Sequence, residues 1–278
     1  MAAQIINGEA VAKELQKTIK DDVAQLKSKK GLTPGLAIVV VNSPVARKSI
    51  AELKKRTCDS VGIYCEVHTL SAHTGEAEVI ALIEKLNNDP KITGINIHPM
   101  PNHIDFKKVL HALNPAKDVE GIHPMNMGNF LIGDKKYIPF TPRGIMKLIE
   151  STGVEIKGKR AVIVGRSHHV GLPVGFLLLE QHATVSFVHS RSWYMGDITR
   201  QADILIVAAG HPEMITGSKI KPGAVVIDVG SSAVAGHLVG DVEFDSANQV
   251  AGWITPVPGG VGPMTVTMIL SNLMQCCM

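Results

Sequence analysis

Apolar runs of strand length alternate with segments of helical periodicity along this chain, and that alternation limits the fold more than any other feature. GLAIVVV, ITGINI, KRAVIV, ADILIVAA and AVVIDV are nearly continuous in apolar residues. Runs of this kind read as strands buried on both faces, as in a parallel sheet covered by helices. GEAVAKELQKTIKDDVAQLKSK and TGEAEVIALIEKLNND carry apolar residues at helical spacing, residues 46–60 read as a further helix, and IYCEVHTL as a further strand. Thr74 is the expected N-cap of the helix that follows it. A second series of strands and helices begins after FTPRGIMKLIESTG, so the pattern predicts two α/β lobes joined near 121–150. A cleft between two such lobes is a usual place for a ligand.

Composition removes several classes. The longest apolar runs are far shorter than the roughly 20 residues that span a bilayer, so no membrane partner is expected. MAAQIINGEA lacks the basic-then-apolar layout of a secretion signal. A formal net charge of +3 over 278 residues gives no argument for a nucleic-acid partner. Cys58, Cys65, Cys276 and Cys277 form no paired metal spacing, and a reduced cytoplasmic protein without a metal is the expectation.

VIVGRSHHVGLP, residues 162–173, places Gly165, Ser167 and Gly171 between a strand and a helix. Glycine lets a backbone turn tightly and approach a diphosphate, and the helix N-terminus offers free N–H groups. Serine holds the middle place of the usual G-x-G-x-x-G, so an ordinary strand-to-helix turn is the competing reading. Arg166 follows the first glycine, and HSRS, with His189, Ser190 and Arg191, closes the next strand, where a dinucleotide ribose lies. No acid is present there to hold a free 2′-hydroxyl. Two arginines suit a 2′-phosphate by charge and forked geometry, which favours NADP over NAD. The alternative for Arg191 is a solvated loop arginine. His168 and His169 read as incidental.

TPVPGGVGPMTV, residues 255–266, reads as a rigid loop before a short final helix, presenting backbone to a ligand. With KDVEGIHPMNMG, PFTPRGIMKLI and VVIDVG, it makes the chain resemble the bifunctional methylenetetrahydrofolate dehydrogenase/methenyltetrahydrofolate cyclohydrolase family over essentially its whole length. The resemblance implies a two-domain α/β fold, usually dimeric. Its catalytic domain would occupy 1–120, rejoined by a C-terminal helix in 264–278. A Rossmann-type domain would occupy 146–263, with 121–145 as linker. It implies NADP as cofactor and a reduced folate as substrate: hydride transfer from methylenetetrahydrofolate, then addition of water to the methenyl product. Pro258, Gly259, Gly262 and Pro263 are the implied substrate-side residues of the tail, and Gly210 joins the cofactor side.

The resemblance also marks departures. The family's Tyr-x-x-x-Lys motif falls on Ile50 and Lys54 in RKSIAELKKR. Its Val-Gln-Leu-Pro-Leu-Pro is IHPMP here, with His98 where glutamine is expected, and its Lys-Asp-Val-Asp-Gly is KDVEG, with Glu120 for the aspartate that anchors the pterin. Residues i and i+4 share a helix face, so Lys54 lacks its usual hydroxyl neighbour. Either Lys54 is a surviving basic residue, or Lys54 and His98 form a rebuilt acid–base pair, since histidine titrates near neutrality. Lys48, Lys55 and Arg56 are assigned to a solvated helix face or to attraction of an anionic ligand. The dehydrogenase step is expected, and the altered positions predict slow or absent methenyl hydrolysis. A repurposed active site on the same scaffold, or a non-catalytic folate or nucleotide binder, are the alternatives.

Overall fold

The computed structural model describes residues 2–41 and 45–278, except for the side chains of residues 45–49. Its elements run β1 (Gln4–Ile5), α1 (Gly8–Lys30), β2 (Gly35–Val41), α2 (Val45–Val61), β3 (Tyr64–Leu70), α3 (Glu76–Asn88), β4 (Gly94–Ile97), α4 (Phe106–Ala112), α5 (Pro124–Leu131) and α6 (Phe140–Ser151). They continue with β5 (Arg160–Val164), α7 (Gly171–Glu180), β6 (Thr184–Val188), α8 (Met195–Thr199), β7 (Ile204–Val207) and β8 (Val225–Asp228). The hairpin β9 (Ser232–Val234) and β10 (His237–Val239) follows, then α9 (Phe244–Asn248), β11 (Trp253–Ile254) and α10 (Val261–Cys276). Two compact units result, one of residues 14–140 with Val266–Met278, the other of Thr141–Thr265 with the segment ending at Lys13.

In the first unit β2 lies between β3 and β4, all parallel. Every residue of β2 is buried because both faces are covered. Leu36, Ile38 and Val40 pack with Ala51 and Cys58 of α2 and Ile269, Leu270 and Leu273 of α10. Ala37, Val39 and Val41 face the other way, onto Val79, Ile83 and Leu86 of α3 and Val109 of α4. The two-residue strand period assigns those faces. The final helix therefore does return to the first domain, as expected. Gly94 lets it come close: a Cβ there would lie 2.5 Å from Leu273 Cδ1 and 2.3 Å from Val119 Cγ1. Thr74 does not cap α3. The helix begins one residue later than that reading requires, with Gly75 at the N-cap and no side-chain cap bond.

The second unit is a six-stranded parallel sheet in the order β1-β11-β8-β7-β5-β6. The chain leaves β5 toward β6 on one side and returns to β7 on the other. The C-terminal end of β5 is thus a switch point, the usual ligand crevice of an open α/β sheet. The division differs from the expected domains at both ends. The first residues join this sheet because β1 pairs with β11 and Ile6 N–H donates to Ile254 O. Most of the expected linker is packed structure of the first unit: Asp118 Oδ1 accepts from Gly121 N, and Asn272 Nδ2 of α10 donates to Ile138 O.

Candidate active site

Lys54 is the polar centre of the first unit. It lies on the buried face of α2, only 8% exposed, beside the fully buried Cys58 one turn on. Its Nζ donates to Asn96 Oδ1 at 2.6 Å and lies 3.0 Å from His98 Nε2. Asn96 and His98 are two residues apart where β4 ends, so the strand period aims both at the same amine. Burial pushes the Lys54 amine below the usual lysine range, and the charge of Glu120 pulls it back up. The sequence-predicted pair of Lys54 and His98 is thus brought together. Asn96 was missed, although a lone polar residue in the buried run GINI was a signal: such a group is kept when it is hydrogen-bonded.

Glu120 approaches from the loop after β4 and the 3₁₀ turn at 115–117. Its Oε1 accepts from Ile97 N at 3.0 Å and from Asn96 Nδ2. Among the described residues Oε2 has no hydrogen-bond partner, so one carboxylate oxygen is anchored and the other is left for a ligand. Burial raises the Glu120 carboxyl to about 7, with Lys54 pulling it down and Asp118 pushing it up. Asp118, fully buried, shapes the loop: Oδ1 accepts from the Glu120 and Gly121 amides, and Oδ2 from His123 N and Asn126 Nδ2.

Ile50, one turn before Lys54, is 46% exposed, so it offers apolar surface and no donor. Lys55 and Arg56 are exposed, Lys55 reaching Cys65 O and Asp59. The side chain of Lys48 lies outside the described residues.

In the second unit the turn after β5 is built for close approach. Gly165 has φ +119°, and a Cβ there would lie 2.2 Å from Ala208 O. A Cβ at Gly171 would lie 2.6 Å from Gly165 O. Ser167 Oγ accepts from the amides of Val170 and Gly171 and so organises the start of α7. Among the described residues the N–H groups of Arg166, Ser167, His168 and His169 have no protein acceptor, which leaves four amide donors at a helix start. A diphosphate fits that donor set, and a side chain on either glycine would fill it. His189 Nδ1 accepts from Arg191 N, and Ser192 Oγ accepts from His189 N, closing the turn after β6. Ser192 was not singled out from sequence. Arg166, Ser190 and Arg191 are exposed. Gly210 is placed differently: its amide and that of Ala209 donate to Asp241 Oδ2, so that N–H is already used.

The tail is part loop and part helix. Pro258 is exposed, Gly259 has φ +103°, and the Val257–Pro258 peptide is cis. Helix α10 starts at Val261, earlier than expected, and runs for 16 residues, so Gly262 and Pro263 lie in its first turn. Proline is tolerated there because first-turn amides have no partner within the helix. Among the described residues no cluster of His, Cys, Asp and Glu could hold a metal ion, and no helix is long and apolar enough to cross a membrane.

Comparison with known proteins agrees with both halves. Residues 6–120 match the tetrahydrofolate dehydrogenase/cyclohydrolase catalytic domain, and residues 139–278 its NAD(P)-binding domain. The bifunctional protein FolD of Moorella thermoacetica is 53% identical over 277 residues, 99% of each chain. The bifunctional FolD of Campylobacter jejuni superposes with a TM-score of 0.95 at 37% identity, covering 99% of this chain and 98% of that one. The Trypanosoma brucei methylenetetrahydrofolate dehydrogenase-cyclohydrolase, solved with NADP cofactor and inhibitor, gives 0.94 at 38% identity, covering 99% and 97%. A fold matched end to end, together with matches to both domain models, makes this chain an enzyme of the tetrahydrofolate dehydrogenase/cyclohydrolase family.

Proposed function

We propose that this enzyme carries one folate-bound carbon through two steps, NADP-dependent oxidation of methylenetetrahydrofolate and hydrolysis of the methenyl product to formyltetrahydrofolate. The carrying observation is the buried Lys54 amine held between Asn96 Oδ1 and His98 Nε2. The missing tyrosine hydroxyl argued for lost hydrolysis. Asn96 on β4 and His98 just after it supply positioning of the kind that hydroxyl would have given, which favours a retained second step.

Bound NADP supplies the hydride acceptor for the first step. For that step the chain contributes placement: the 166–169 amides for the diphosphate, Arg166 and Arg191 for the 2′-phosphate, and Glu120 Oε2 for the pterin donors. In the second step neutral Lys54 accepts a proton as water forms its C–O bond to the methenyl carbon. The resulting ammonium then protonates N5 as the C–N5 bond breaks, leaving the formyl group on N10. The hydroxyl proton leaves last, His98 being the adjacent base, so one proton is released per turnover. A lowered lysine pKa suits both roles. The Trypanosoma brucei protein, solved with NADP, supports that cofactor for this chain. The family resemblance further supports a homodimer, which sedimentation would test.

The test is purified enzyme with methylenetetrahydrofolate and either cofactor. Reduced NADP should appear first and formyltetrahydrofolate after it. Arg166→Ala with Arg191→Ala should weaken NADP at least about tenfold more than NAD, the scale of one lost charge-assisted contact. Equal use of NAD and NADP by the parent overturns the cofactor assignment, and accumulation of methenyltetrahydrofolate overturns the second step.

A further inference from the structure

Asn96 holds a place that apolar packing alone would not select. It is the one polar side chain of β4, 2% exposed, paired in register with Ile38 of the central strand. Its carboxamide is used at both ends: Oδ1 accepts from Lys54 Nζ at 2.6 Å, and Nδ2 donates to Glu120 Oε1. The chemistry of the partners sets that orientation. While Lys54 is an ammonium it can only donate and while Glu120 is a carboxylate it can only accept, so in that charge state the amide cannot be turned round without losing both bonds. The neighbouring amide of Ile97 donates to the same Glu120 oxygen at 3.0 Å. Lys54 and Glu120 form no direct ion pair among the described residues, and the amide stands between them.

That spacing has a consequence for proton transfer. A carboxylate in direct contact with an amine favours the charged form of both. An amine locked as ammonium cannot take a proton from water. A carboxamide satisfies the same donor with a neutral acceptor and keeps the carboxylate one residue further away. We propose that Asn96 is a positioning residue for methenyl hydrolysis, its carboxamide bridging the Lys54 amine and the Glu120 carboxylate in place of a direct ion pair, so that the amine remains able to exchange protons. This rests on the reading of Lys54 as the acid–base group of the second step. The other titratable groups near the amine are His98 at the end of β4, Cys58 on its own helix and Cys65 on β3, with Asp118 behind Glu120.

The test is Asn96→Asp, which keeps shape and replaces the neutral acceptor with a charge, alongside Asn96→Gln and Asn96→Leu. Two readouts are taken on each protein: the titration of Lys54 by NMR of ε-carbon-labelled lysine, assigned with Lys54→Met, and the pH profile of methenyl hydrolysis. In Asn96→Asp the Lys54 titration and the acidic limb of the hydrolysis profile, where the amine must lose its proton to act, should both move up by about 1–3 pH units, the effect of a new opposite charge within contact. Asn96→Gln, retaining an amide, should keep the parental profile more closely than Asn96→Leu does. If Asn96→Leu does not fold, the aspartate and glutamine variants decide the matter. A parent that hydrolyses methenyltetrahydrofolate while Asn96→Asp leaves both titrations unmoved overturns the proposal alone, because a merely structural residue would change stability and not the profile. A parent without hydrolysis overturns the functional reading, whatever the NMR titration shows, and the proposal falls with it.

Discussion

Replacing Lys54 with methionine should separate the two activities. Methionine keeps the length and apolar stem of the side chain and loses the amine. Asn96 Oδ1 then loses its 2.6 Å donor, and Glu120 loses the positive charge that pulls its pKa down. A buried acceptor left without a partner costs about 1–3 kcal/mol. Removing a buried amine relieves the cost of its own desolvation, about 1–3 kcal/mol for a neutral polar group. The two effects oppose, so the melting temperature should move by only a few degrees, at about 2–4 °C per kcal/mol for chains approaching this size. Catalysis has no such compensation. General acid–base assistance is worth about 10²–10⁴ in rate, which is about 2.7–5.5 kcal/mol of barrier. Methenyl hydrolysis should fall by that factor. Oxidation relies on holding two reactants in register and should fall far less. Stopped-flow absorbance on one preparation can follow loss of the methenyl group and formation of reduced NADP. Equal losses in both steps, or hydrolysis at the parental rate, would refute the assignment of Lys54.

Glu120, raised to about 7, is a half-formed carboxylate near neutrality and gains charge as pH rises. The KM for the folate should therefore fall between about pH 6 and pH 8, and Glu120→Gln should flatten that dependence; a parental KM indifferent to pH counts against the carboxylate as pterin anchor. The same shift has a stability sign: the folded state holds this proton more tightly, so its contribution to folding weakens as pH rises from 4.5 to about 7, which denaturant titrations at several pH values would read. Gly165→Ala would drive a methyl against Ala208 O in a backbone region that costs other residues about 1–3 kcal/mol. Calorimetry should show NADP binding lost while methenyl hydrolysis persists, and an unchanged cofactor affinity would contradict the placement of the diphosphate.

Much of the fold was legible because its signals are local. Apolar runs without alternation, such as GLAIVVV, mean a strand covered on both faces whatever surrounds it, and the 4- and 3-residue steps of Val79, Ile83 and Leu86 mean a helix with one buried stripe. The glycine turn was legible for the same reason, since the φ of Gly165 is a property of the turn itself. Domain membership was less so. Nothing in MAAQIINGEA announces that its strand pairs with one some 250 residues later, because pairing depends on register and not on the strand's own pattern.

The active-site cluster divides the same way. The residues Lys54, His98 and Glu120 could be picked out from motif positions, and Ile50, His98 and Glu120 in place of Tyr, Gln and Asp could be read from the chain alone. What they do to one another could not. Lys54 and Asn96 are 42 residues apart, and Asn96 and Glu120 are 24 apart. They meet because β2 sets β4 in register and α2 packs its buried face over the same sheet. A one-residue slip in that register would turn Asn96 to the opposite face and leave both charges without their bridge. The sequence by itself determined the strands, the helices and the identities of the charged groups; only tertiary packing decided that a neutral amide, and no counter-ion, would lie against the buried lysine.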